Sequence, residues 1–138
     1  MLSSILVCVV SLIGQETCAE GDDFKKQRDT LPAAIKGFEQ ALKDGKYEEI
    51  FDKWLDPGQA KDARDNGLRD EFIKAVRTKQ KLLIRVVEEC KKVTPTVEEF
   101  PLWGKGSVRA KFQFEKPIDD EFSHQYFHWQ NGKWFFVD

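Results

Sequence analysis

Cysteine is scarce in this chain, with 3 in 138 residues, and no Cys-x-x-Cys pair occurs. The common zinc and dithiol redox motifs are thereby excluded. Neither sign of charge dominates, because 22 Lys and Arg stand against 24 Asp and Glu. No block of one sign is long enough for a nucleic-acid stripe or a polybasic membrane patch. The densest basic stretch, Arg77, Lys79 and Lys81, reads as a solvated helix face. Also missing are a phosphate-cradling loop, a Gly-x-Ser-x-Gly elbow and a nucleotide fingerprint. There is no internal repeat, low-complexity tract or second domain, and the length suits one domain with one core. What is abundant is aromatic: 11 Phe and 4 Trp argue against disorder, whose composition is poor in such residues.

The longest apolar run is short. Leu2 to Gly14 carries no charged side chain, and Ile5 to Val10 is nearly unbroken hydrocarbon apart from Cys8. A spanning helix needs about 20 apolar residues, so no stable membrane span is expected, whereas a signal-peptide core has this length. Thr17-Cys18-Ala19 offers small residues for cleavage, and Glu20 opens a polar chain. Residues 1–19 therefore read as a signal peptide and the remainder as exported, to the periplasm or the exterior. Met1-Leu2-Ser3-Ser4 has no Lys or Arg; either the amino group is the positive charge or the true start lies upstream. The competing reading is a buried first strand or helix of a cytoplasmic protein. A lipid anchor on Cys18 is disfavoured by Glu16, a charge inside the motif. Cleavage after Ala19 leaves Cys90 alone, without an intramolecular disulfide.

Residues 20–29 read as a flexible polar lead-in, and 30–138 as the folded domain. Asp29 or Thr30 supplies an N-cap with Pro32 in the first turn. Leu31, Ala34, Ile35, Phe38, Ala41 and Leu42 follow helical spacing, and Asp44-Gly45 ends that helix. A second short helix carries Tyr47, Ile50, Phe51, Trp54 and Leu55, and Pro57-Gly58 stops it. Residues 59–66 read as a loop with a helical turn. One long helix is expected over about 68–93, with a possible kink at Thr78 to Lys81. The rest is β: a strand over 96–100, a loop at 101–107, and the period-2 run Val108, Ala110, Phe112, Phe114. A strand over 122–130 and a hairpin at Asn131-Gly132 follow, because both residues tolerate positive φ. Helices first and an antiparallel meander last define an α+β class.

Three stretches together carry a family pattern: FEQALKDGKYEEIFDKWLDP (38–57), the amphipathic segment ending KKVTPTV at Val97, and FHWQNGKWFFVD (127–138). In this order they resemble the NTF2-like (cystatin-like α+β) superfamily, and within it small exported bacterial domains of unknown function. The resemblance implies a curved sheet wrapped around a long helix, forming a cone with a pocket. That fold hosts enzymes, binding modules and associating subunits alike. Its isomerases and hydrolases place an Asp, His or Tyr inside the cone.

The matching residue types here are His124, Tyr126 and His128, which alternation puts on one face of their strand. Phe127 and Trp129 occupy the other face as core, so a solvated face with two exposed histidines is favoured over catalysis. His124 and His128 sit roughly 13 Å apart along a strand, too far to share a metal. Cys90, on an apolar helical stripe, reads as a buried small hydrophobe. Trp103, in a Gly-rich loop, is the one Trp without an evident core role and the candidate for ligand contact. No cofactor is implied. The leading expectation is a non-enzymatic exported domain that binds a small apolar ligand or a protein partner. An isomerase- or hydrolase-type enzyme and a subunit that forms a homodimer through its sheet are the alternatives.

Overall fold

The computed structural model describes residues 25–137. The apolar segment read as a signal peptide, with its cleavage site, lies outside the described residues. The chain divides into two units, residues 1–31 and 32–138. Of the first, residues 25–31 are helical, so Asp29 and Thr30 lie inside a helix and do not cap one. Lys25, Lys26, Gln27 and Arg28 are good helix formers, and a polar composition does not oppose helicity. Thr30 Oγ1 accordingly donates back to the Lys26 carbonyl at 2.6 Å.

In the second unit, α1 (helical over 32–43) buries Ile35, Phe38, Ala41 and Leu42. It ends as the sequence predicts. Gly45 takes φ +70°, its N–H bonds the Leu42 carbonyl at 3.2 Å, and the Lys46 N–H bonds Ala41 at 2.9 Å. Those two bonds form a Schellman closure. A single turn, α2 (Tyr47–Glu49), runs directly into a π turn at Ile50–Trp54. The bond from Leu55 N–H to Ile50 at 2.9 Å spans five residues and widens the helix. Ile50 and Phe51 point into the core, while Trp54 is half-buried. Leu55 then leaves in an extended conformation and bridges Phe136 in parallel.

The segment after Pro57, expected to be a loop, is the helix α3 (Pro57–Asp65). Pro57 does not stop a helix here but starts one. Its missing N–H is no loss at N1, and Asp56 before it caps the turn. The long helix expected over 68–93 is two, α4 (Arg69–Thr78) and α5 (Gln80–Cys90), interrupted at Lys79. α5 turns Leu83, Val86, Val87 and Cys90 inward against the sheet.

The sheet is four-stranded and antiparallel, in the order β1 (Thr96–Glu99), β2 (Val108–Ile118), β3 (Phe122–Gln130), β4 (Lys133–Val137). The register pairs Ala110 with Phe127, Phe127 with Phe136, and Trp129 with Trp134 on the core face. Asn131 and Gly132 take φ +53° and +77°, the left-handed pair of the expected hairpin. Asp119 and Asp120 do the same at the β2–β3 turn, with φ +53° and +57°. Phe38 of α1 stacks on Phe136 at 4.6 Å and meets Phe127 edge-on at 6.2 Å. Phe112 meets Phe127 at 5.9 Å. Each buried phenyl contributes roughly 2 kcal/mol, against about 0–1 kcal/mol for an exposed ion pair. This ring cluster therefore joins helix to sheet more firmly than the surface charges do. Helices N-terminal and strands C-terminal make the fold α+β, as the sequence indicates.

Candidate functional site

The strand β3 brings His124, Tyr126 and His128 to the face opposite the phenyl cluster, but they do not share one environment. His124 and Tyr126 are half-exposed, with ring centroids 4.9 Å apart. The His124 Nδ1 lies 2.9 Å from Ser123 Oγ. Arg109, on the neighbouring strand, lays its guanidinium over two rings, Phe100 at 4.4 Å and Tyr126 at 4.6 Å. Its Nε donates to Glu98 Oε1 at 2.6 Å. Lys111 approaches the same Tyr126 ring at 5.9 Å. The result is an aromatic and cationic strip across β1, β2 and β3.

His128 departs from the sequence reading. Alternation predicts an exposed ring, yet only 1% of it is accessible. The cause is Leu55–Asp56, laid beside β4: Asp56 N–H bonds the Phe136 carbonyl at 2.8 Å. From there the Asp56 carboxylate reaches His128 Nδ1 in a short hydrogen bond. A carboxylate only accepts, so Nδ1 carries the hydrogen. The other oxygen, Oδ2, caps α3 by accepting the N–H groups of Gly58 at 3.1 Å and Gln59 at 3.2 Å. Burial by itself would raise the Asp56 pKa. The His128 bond and the two backbone N–H groups more than offset it and hold the carboxyl below its ordinary value.

An Asp–imidazole pair of this kind is the orienting half of an acid–base apparatus. Chemistry also needs a ring edge that a substrate can reach. At 1% exposure His128 offers none, so in this conformation the pair ties α3 to the sheet. The sequence contained a usable signal for Asp56, an Asp immediately before a proline at a helix start, masked by the reading of Pro57-Gly58 as a stop.

The remaining candidates are placed as follows. Cys90 is buried to 1% exposure, and burial, with Glu89 nearby, pushes its thiol up to about 12. It is no nucleophile at neutral pH. Trp103 closes a 3-10 turn, Pro101–Trp103, and its side chain lies outside the described residues. Among the described residues no three His, Cys, Asp or Glu side chains gather as a metal site would require, and no helix is long and apolar enough to cross a membrane. Comparison of the chain with protein-family models, with curated proteins and with solved structures finds no match.

Proposed function

We propose that the chain is an exported, non-enzymatic binding domain of NTF2-like type that receives a protein partner on the outer face of its sheet. The observation that carries this reading is the Phe100–Arg109–Tyr126 stack. Tyr and Arg are the residue types that concentrate binding energy at protein interfaces. Here they are half-buried and held in place by neighbours, so little side-chain freedom remains to be lost on binding. A small apolar ligand inside the fold is the less supported alternative, because Phe38, Phe112, Phe127 and Phe136 occupy that space in mutual contact. The enzyme alternative would rest on His124, Tyr126 or His128, of which His128 is buried and the other two lie half-exposed on the strip, and the dimer alternative would need the same strip to be self-complementary. Export rests on the apolar segment at the N-terminus, and the NTF2-like reading on the order of helices and meander.

Cross-linking mass spectrometry on the expressed full-length chain tests this proposal. The expected result is a partner linked through Lys111, or through Lys105, exposed in the loop between β1 and β2, in the wild type and lost in Arg109→Ala/Tyr126→Ala. Links that persist unchanged in that double variant would remove the strip from the interface. Links between two copies of the chain at those lysines would favour the dimer. N-terminal sequencing of the same sample should find Glu20 first; an intact Met1 would count against export.

A further inference from the structure

We propose that the groove between α3 and α4 is a second docking site, separate from the sheet face, for a short basic amphipathic segment of a partner protein. The groove has a volume of about 430 Å³, room for an apolar anchor with a charged neighbour. Leu55, Ala63, Leu68 and Phe72 supply its apolar lining, and Gln59, Asn66 and the exposed Asp62 and Glu71 its polar lining.

Leu68 is the first sign that the groove is built for a ligand. It occupies the N-cap of α4 with no side-chain cap bond, and 43% of it is exposed. A Ser, Thr, Asp or Asn there would satisfy an orphan N–H and stabilise the helix. Leucine does neither and places hydrocarbon in water. The backbone holds it in place, with Gly67 at φ +69° and the Leu68 N–H bonded to Ala63 at 2.7 Å. A position that breaks a local rule without a compensating gain in stability is where function is expected.

Charge is the second sign. The neighbouring carboxylates are engaged: Asp52 with Arg64 and Arg69 at 3.3 and 3.1 Å, and Asp65 with Lys61 at 2.5 Å. Asp62 and Glu71 enter no ion pair among the described residues, and no described cation lines the groove. The α4 dipole accounts for an acid at Glu71, in its first turn, but not at Asp62, beyond the first turn of α3. An apolar trough under two uncompensated carboxylates selects a segment with a hydrophobic anchor and flanking Lys or Arg. An amphipathic helix laid into a groove presents that pattern.

Fluorescence anisotropy with the full chain tests the site. The probe is a short labelled peptide with two leucines one helical turn apart, flanked by lysines; the control replaces the lysines by glutamates. The Lys peptide is expected to bind more tightly by about tenfold or more, an advantage that fades as salt is added. Leu68→Ser should weaken binding about tenfold while leaving thermal stability unchanged or higher, which separates the lost contact from a lost fold. Asp62→Lys/Glu71→Lys should reverse the preference toward the Glu peptide. Arg109→Ala/Tyr126→Ala should leave peptide binding intact, so failure of the sheet-face reading would not touch this one. Equal binding of both peptides, no binding of either, or indifference to Leu68→Ser and the charge reversal would each overturn the proposal. So would a concentration-dependent dimer abolished by Leu68→Ser, because a second copy would then be the occupant.

Discussion

Asp56 uses two oxygens to serve three donors: two helix N–H groups and one imidazole. Removing it in Asp56→Ala forfeits a cap and leaves a buried Nδ1–H without its acceptor. Those losses together should cost about 3 kcal/mol, read as a shift in urea midpoint; a loss below about 1 kcal/mol would show the pair to be dispensable. The pH dependence has a definite sign. The folded carboxyl lies below its ordinary value of 3.8, so the unfolded chain binds the proton more readily. The stabilisation is complete above the unfolded value and is lost as pH falls through the folded one. Asp56→Asn keeps one acceptor oxygen for the cap but turns an NH2 donor toward His128 Nδ1, whose tautomer must then change, and it removes the charge. Its urea midpoint should therefore fall less steeply below pH 3.8 than the wild type's. Gly37 raises a different residue-scale question. Alanine is the better helix former by about 1 kcal/mol, yet a Cβ here would lie 2.7 Å from the Trp54 ring. Displacing a packed indole costs about 1–3 kcal/mol. Gly37→Ala should thus destabilise in spite of propensity, and a raised melting temperature would show that Trp54 moves aside freely. Cys90, with its thiol pushed up to about 12, should resist a thiol reagent in a Cys8→Ser/Cys18→Ser background until urea unfolds the chain.

Among the elements, those whose signal is local were legible in the sequence. Asn131-Gly132 demands two left-handed residues and receives them. No atom lies within 4 Å of a Cβ at Gly132, so Gly132→Ala tests backbone strain alone and should cost about 1 kcal/mol in a thermal melt. The period-2 run from Val108 to Phe114 alternates inward and outward as read. Less legible was any element whose boundary depends on one residue playing two parts. Pro57 follows a turn that has already ended at Trp54 and begins the next helix, and a proline–glycine pair announces a stop more loudly than a start. The π turn at Ile50–Trp54 left no trace either, because one extra residue in a turn barely alters the apolar spacing. Its consequence is large: it brings Leu55 into register with Phe136 and hence Asp56 to His128. For that reason the alternation along β3, correct about direction, was wrong about the exposure of His128. A strand's period says which face a side chain takes, not what covers that face.

At the scale of the whole molecule, residues distant in sequence connect helices to sheet in two ways. One is the apolar contact of Phe38 and α5 with the core face, legible from composition and spacing. The other is polar and was not legible: Leu55 and Asp56 against β4, closed by His128, a separation of 72 residues. The two differ in strength. The phenyl cluster comprises several contacts each worth roughly 2 kcal/mol, whereas the clasp depends on one side-chain bond. Its removal should therefore loosen α3 without unfolding the sheet. In His128→Ala the amides of Gly58 and Gln59, which bond Asp56 Oδ2, lose the ring that fixes their acceptor. The Asp56 amide, which donates to the Phe136 carbonyl, loses the side-chain anchor of its own residue. Hydrogen exchange should accelerate at these three amides by about tenfold or more, the factor that 1.4 kcal/mol of lost local stability produces, while amides between β2 and β3 keep their protection. If exchange rises equally across the sheet, the clasp belongs to the global core. If it rises nowhere, the N-cap alone holds α3, and the buried pair must be kept for a role in which His128 becomes accessible. That outcome would move weight from binding toward chemistry.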